Sequence, residues 1–298
     1  MARLPFLQAM VSFTGLSVAA YFCAVALLAR LMALTRRDTR ALVIIAAAWP
    51  TFYVLLRYGQ LSALSLVIVT LAVFAAARGM GVAAGVLLGL LAYKPNLLVS
   101  PILLLVLTRR WRVLSGLVVG ASAELLLGLF LAGPDGMQSY IAGLVDLARR
   151  PELVQFFPAE SHSLRGSFRL LLPWPGLVTV AGLAAIPWAT WMAARVWRAH
   201  DDWRPRWAAL VIAGLLASPH LLTYDLLLLA VPIVLIVDWL VGVSGTVPRG
   251  QWRWALLLLY FGAWPGTFIA RLYHVQISTI GMLLSLWLLA RAPRAGRS

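Results

Sequence analysis

The sequence predicts an all-α protein, a polytopic transmembrane helical bundle of about 9–11 membrane segments, and three observations carry that expectation. Hydrophobic residues make up 62% of the 298 and charged residues only 12%, where a soluble domain carries about 25% charged residues. Apolar runs approaching the roughly 20 residues of one bilayer crossing recur along the whole length. The runs do not alternate with period two, as barrel strands would. Lipid offers no partner for a bare backbone, so these runs are expected to be helices.

In order, the expected segments are 9–34, 41–56, 61–77, 81–93, 97–108, 113–132, 176–197, 207–217, 221–241, 252–270 and 275–291. They fill a single integral membrane domain, 1–298, and leave no room for a second, soluble one. The basic clusters orient them: Arg36, Arg37 and Arg40; Arg78; Arg109, Arg110 and Arg112; Arg195 to Arg206; Arg249 and Arg253; Arg291 to Arg297. All six fall on the inner side if every segment crosses once, as the positive-inside rule requires. The connections 57–60, 94–96, 133–175, 218–220 and 271–274 then face outside, with 133–175 as one long outer loop. Segments 81–93, 97–108 and 207–217 are short for crossings, and such helices survive only where protein or a water-filled cavity covers their ends. Broken helices of that kind frame binding sites in transporters.

The formal net charge of +15 would suggest nucleic acid in a soluble protein. Here the cations lie between apolar runs, so topology explains them and no basic folded face is left for nucleic acid. The single cysteine, Cys23, excludes an internal disulfide. The four histidines show no short ligand spacing, so no metal site is expected and no cofactor is implied.

The outer connections hold the unusual polar residues. Tyr58-Gly59-Gln60 forms a tight turn where Gln60 is either a polar cap or an amide donor to a head group. Lys94, the only lysine, stands in the break Tyr93-Lys94-Pro95-Asn96. Proline removes an amide donor and disfavours helix just before it. An ionisable group at membrane depth is functional by default, and an ammonium suits phosphate; a snorkelling side chain is the bland alternative. The loop Glu160-Ser161-His162-Ser163-Leu164-Arg165-Gly166-Ser167-Phe168-Arg169 is dense in hydroxyls and cations, as a binding loop or as a solvated one. In Ser218-Pro219-His220-Leu221-Leu222-Thr223-Tyr224-Asp225, His220 and Asp225 suit proton transfer or mutual satisfaction at a helix start. Tyr273-His274-Val275-Gln276 makes a similar cap, and Glu124 is expected to be buried in mid-segment. Together these residues suit an anionic, phosphorylated, amphiphilic substrate.

Order and spacing of several short motifs resemble glycosyltransferase family 87. They are Gly59-Gln60-Leu61-Ser62, Ala77-Arg78-Gly79, Ala84-Gly85-Val86-Leu87-Leu88-Gly89-Leu90, Tyr93-Lys94-Pro95 and Arg109-Arg110-Trp111-Arg112. Ser161-His162-Ser163-Leu164-Arg165-Gly166 with Arg169 is similar to the family's N-Q-S-L-x-G…R loop, with His162 where Gln is usual. Ser218-Pro219-His220 and Tyr224-Asp225 resemble its later S-P…H/Y-D motif. The resemblance spans roughly residues 5–290. It implies a GT-C-like multi-pass enzyme of the bacterial cytoplasmic membrane, with its active side facing the periplasm. The implied donor is a polyprenyl-phosphate sugar, often mannose, and the implied acceptor a lipid or cell-envelope glycan, so membrane lipid is the milieu.

The family's base is an Asp in the first outer loop. This sequence starts beyond that loop, so upstream helices are expected to be missing or the start codon to lie elsewhere, and no residue here is assigned as base. Ala24-Val25-Ala26 has the spacing of a cleavage site, but the first segment is longer than the 7–15 apolar residues usual in a signal peptide. On this reading Lys94, with Arg165 or Arg169, neutralises the departing phosphate. His220, Tyr224 and Asp225 position donor or acceptor, and Gln60 and His162 meet sugar hydroxyls. The rival readings are a transporter or flippase of a lipid-linked anion, and a truncated, non-catalytic membrane subunit. Against transport, the Lys-Pro break has no counterpart in the second half.

Overall fold

The computed structural model describes residues 5–32, 34–149, 158–243 and 249–292. Arg294 and Arg297, which the charge pattern invoked, lie outside the described residues. Among the described residues, fourteen helices follow one another: α1 Phe6–Leu31, α2 Arg36–Ala47, α3 Pro50–Tyr58, α4 Ser62–Ala77, α5 Gly81–Gly89, α6 Val99–Leu107, α7 Trp111–Arg149, α8 Leu164–Leu171, α9 Pro175–Ala199, α10 Trp203–Ala217, α11 Ala230–Gly242, α12 Arg249–Phe261, α13 Trp264–Tyr273 and α14 Ile277–Arg291. Short 3-10 turns stand at Pro95–Leu97, Pro158–Glu160 and Thr223–Leu229. No strand occurs among the described residues.

The all-α polytopic membrane class, with some segments short or broken, is as expected. Among the described residues, four helical stretches are long and apolar enough to cross a bilayer: Phe6–Leu31, Trp111–Asp146, Pro175–Ala199 and Thr223–Gly242. Two bent pairs, α2 with α3 at 52° and α12 with α13 at 94°, raise the number to six if each is one span. Prolines sit at these bends. Pro50 opens α3, and Trp49 before it is extended (φ −70°, ψ 123°), as a pre-proline residue prefers. Pro265 occupies the first turn of α13. In α7, Gly133 takes a left-handed φ of 71° and Pro134 follows, so the helix kinks and then continues to Arg149. The described residues of the 133–175 region are therefore largely helical: α7 runs into it, and α8 lies near its end.

The short segments persist for two different reasons. Helix α10 is buried on nearly every side, with Leu210, Ile212, Leu215 and Leu216 in the core, so its apolar circumference meets protein and not lipid. Helix α5 instead lies backbone to backbone on α7. A Cβ at Gly85 would come within 1.9 Å of the Val113 carbonyl oxygen, and one at Gly120 within 2.0 Å of that of Val86. Gly89 and Gly116 are equally tight. Two small-x-x-x-small stripes thus face each other, the arrangement that lets membrane helices associate without a hydrophobic driving force. Elsewhere, large apolar side chains such as Phe6, Val11, Phe130 and Leu131 stand exposed along α1 and α7, the face that lipid covers. Glu124 of α7 is half-buried, and its Oε2 has no hydrogen-bond partner.

Candidate functional site

The helix break around Lys94 places a cation where three elements converge. Lys94 Nζ donates to Asp225 Oδ1 at 2.5 Å and to Ser62 Oγ at 3.0 Å, and Ser62 donates to the same carboxylate oxygen at 2.7 Å. Ser62 opens α4, and Asp225 lies in the 3-10 turn that leads into α11. Ser62 and Asp225 are buried, while the Lys94 side chain keeps 16% exposure. A pair this enclosed is held by its extra hydrogen bonds; removing one partner strands the other charge. The ammonium also lies 5.5 Å from the Tyr224 ring centroid, and that ring lies 5.9 Å from Tyr58. Nearby, Tyr93 bonds Ser65 at 2.8 Å, and Asn96 donates to Ser218 Oγ at 2.8 Å and to the His220 carbonyl at 3.3 Å. The proline break and the 218–225 turn are thereby tied together.

The outer-loop motif is clipped to the same turn. Ser161 and Leu222 form an isolated antiparallel bridge, and the His162 amide donates to the Leu221 carbonyl at 2.8 Å. His162 is wholly enclosed. Its Nδ1 pairs with Ser278 Oγ at 2.6 Å and its Nε2 with Thr223 Oγ1 at 3.0 Å. Burial pushes its pKa down to about 3, so the imidazole is neutral. Gln276 donates to the Ala159 carbonyl at 2.5 Å, and Thr279 to that of His162 at 2.8 Å. Both ring nitrogens of His162 are therefore committed to protein.

Ser163 caps α8, accepting from the Gly166 amide at 3.2 Å, and presents Arg165 and Arg169 one turn apart. Arg165 lies over Gly182 of α9, where a Cβ would meet its Cγ at 2.8 Å. Burial, with Arg169 close by, lowers the Arg165 pKa. Burial, and then the Arg165 charge, lower that of His220. His220 Nδ1 is buried without a hydrogen-bond partner. Gln60 occupies the α3–α4 turn, half-buried and next but one to Ser62.

Against this cluster opens a cavity of about 340 Å³, with Arg57, Tyr58, Glu160, Thr223, Thr267 and Arg271 in its wall. Arg271 and Glu160 approach at 3.6 Å. Thr223 belongs both to the cavity and to the His162 clip, and Tyr58 joins the cavity to Tyr224. The structure thus brings Lys94, Tyr224 and Asp225 into contact and sets Arg165 beside His220. The sequence reading assigned no role to Arg57, Arg271, Ser62 or Asn96. A cation in the 57–60 and 271–274 connections was the available signal for the two arginines. Among the described residues no three His, Cys, Asp or Glu side chains converge.

Comparison with known proteins adds one finding. A family model described as glycosyltransferase family 87 matches residues 1–222, well over half of the chain. No curated protein and no solved structure matches it.

Proposed function

The chain belongs to glycosyltransferase family 87, and from that premise we propose that it transfers a sugar, mannose first among candidates, from a polyprenyl-phosphate sugar to a lipid or cell-envelope glycan. We place the reaction on the periplasmic face of a bacterial cytoplasmic membrane. One observation carries this reading: a cavity with two arginines in its wall abuts the Lys94–Asp225–Tyr224 cluster at one end of a membrane bundle.

An anionic donor head fits such a cavity. Arg57 and Arg271 supply planar forks for phosphate oxygens. Fixed cations around a leaving phosphate lower the barrier because charge develops there as the glycosidic bond breaks. Lys94 has three N–H donors, of which Ser62 and Asp225 take two. The third is left for a substrate oxygen. Asp225 orients Lys94, and its Oδ1 already accepts from both Lys94 and Ser62, so no base is assigned to it. Tyr58 and Tyr224 offer ring faces for a sugar. His162 supports the site from behind by clipping the loop to Thr223, Arg165 and Arg169 extend the cationic surface toward the acceptor, and His220 beside Arg165 positions donor or acceptor.

The test is transfer of label from a polyprenyl-phosphate sugar in membranes that contain this chain. Transfer that Lys94→Ala abolishes and Arg271→Gln reduces supports the proposal, whereas full activity in both variants refutes the site.

A further inference from the structure

At the opposite end of the bundle lies a second cavity, of about 510 Å³, with Arg109, Arg110, Trp197, Arg198 and Arg206 around it. Three helices run from the first site to this one. Helix α6 begins just after Pro95 and ends at Leu107, before Arg109. Helix α9 passes Arg165 at Gly182 and carries Trp197 and Arg198 in its last turn. Helix α10 carries Arg206 in its first turn and ends at Ala217, beside the Ser218 that Asn96 binds. At 1.5 Å per residue, roughly 21 Å separates the two ends of α10.

Topology accounts for arginines at this end of the helices, but not for four of them around one hollow. Arg36, Arg37 and Arg40, by contrast, stand exposed along a single helix, α2. Around the cavity the parts are fixed. The Arg110 guanidinium lies 5.4 Å from the Trp197 ring centroid. Trp197 Nε1 donates to the Arg206 carbonyl at 2.7 Å, and Arg206 Nε returns a bond to the Trp197 carbonyl at 3.1 Å. Arg109 holds a left-handed φ of 54°, a conformation that L residues seldom adopt.

Negative charge is scarce here. Asp201, with 88% side-chain exposure, meets Arg206 at 3.4 Å. Asp202 and Asp238 are both taken by Arg204, at 2.6 Å and 2.9 Å. Four guanidinium groups around one hollow repel one another unless an anion fills it. Exposed Leu107 and the indole of Trp197 line the same hollow, and it lies at the end of the spanning helix α9, which is headgroup depth.

We propose that this four-arginine cup binds the phosphate of an anionic membrane phospholipid and thereby ties the ends of α6, α9 and α10 together. The inference stands apart from the glycosyl-transfer reading, because none of its residues belongs to the first site.

The test uses the full chain in nanodiscs of phosphatidylcholine alone or doped with phosphatidylglycerol, read by thermal unfolding and by lipid retained in native mass spectrometry. Retention of phosphatidylglycerol should exceed that of phosphatidylcholine and fall about tenfold in Arg109→Gln/Arg198→Gln, since each surface cation contributes roughly a few-fold to anionic-lipid binding. Those two side chains are exposed, so the variant should fold. Arg36→Gln/Arg40→Gln, with the same loss of charge, should keep both the retention and the thermal shift. An equal loss in that control, retention indifferent to headgroup charge, or the same stabilisation by inorganic phosphate at matched ionic strength would each overturn the proposal.

Discussion

Lys94 and Asp225 stand 131 positions apart in the chain, yet their side chains meet at 2.5 Å, with Ser62 bonded to both. Their contact joins the proline break to the 3-10 turn ahead of α11. An enclosed pair of this kind stabilises mainly by the penalty of separating it. Lys94→Met or Asp225→Leu alone should lower stability by about 3 kcal/mol. Lys94→Met/Asp225→Leu should recover most of that loss while remaining inactive. Thermal unfolding in detergent and a double-mutant cycle measure the coupling; additive losses would show that the pair does not act as a unit.

The α5–α7 contact is equally specific. Gly85→Leu or Gly120→Val drives a side chain into the facing backbone, because even a Cβ arrives within 1.9 Å or 2.0 Å of a carbonyl oxygen. Each should cost about 2 kcal/mol or more and lower the folded yield in membranes. Gly143→Ala, with open space around it, should be neutral or stabilise by about 0.5 kcal/mol through helix propensity. Equal yields for all three variants would dissolve the close-packing explanation for the half-length helix.

A third expectation concerns pH. Burial holds the folded-state pKa of His162 at about 3, well below the ordinary 6.5. The unfolded chain therefore binds the extra proton first as pH falls. The stability contributed by neutral His162 is complete above about pH 6.5 and is lost progressively as pH drops toward 3. Between pH 6.5 and 5 the loss should approach about 2 kcal/mol. His162→Gln removes the titration while keeping an amide able to bond Ser278 and Thr223, so its melting temperature should fall less steeply over that range. An identical acid slope in this variant would assign the sensitivity to another group.

The cavity arginines allow a cleaner functional probe than Lys94. Arg271 is largely exposed, and its ion pair with Glu160 is loose at 3.6 Å, so Arg271→Gln should leave stability within about 0.5 kcal/mol. If the fork holds donor phosphate, the same change should reduce transfer by about tenfold to a hundredfold. Unchanged transfer rates would remove Arg271 from the site.

What the sequence disclosed, and what it withheld, follows from the range of the forces involved. The all-α membrane class is written in composition, and the break at Lys94 in a local signal, a lone lysine before proline. Which segments touch is not local. Nothing near Lys94 or Asp225 names its partner, and nothing near Arg57 reveals that the α12–α13 bend brings Arg271 to the same cavity. His162 sits in a run of hydroxyls that suggested an exposed sugar contact. Its burial arises because Ser161 and His162 pair with Leu221 and Leu222, a match between distant stretches. Segment 207–217 is too short for a simple crossing because α10 is surrounded by protein, and apolar content alone does not separate that from lipid exposure.

The most direct test is to follow label from a polyprenyl-phosphate sugar into lipid or glycan in membranes that hold equal amounts of wild type, Lys94→Ala and Arg271→Gln. The proposed function requires transfer by the wild type and its loss, by about a hundredfold, in Lys94→Ala, with a smaller loss in Arg271→Gln. Full transfer by both variants, or movement of the unaltered donor across sealed vesicles with no transfer at all, would contradict it.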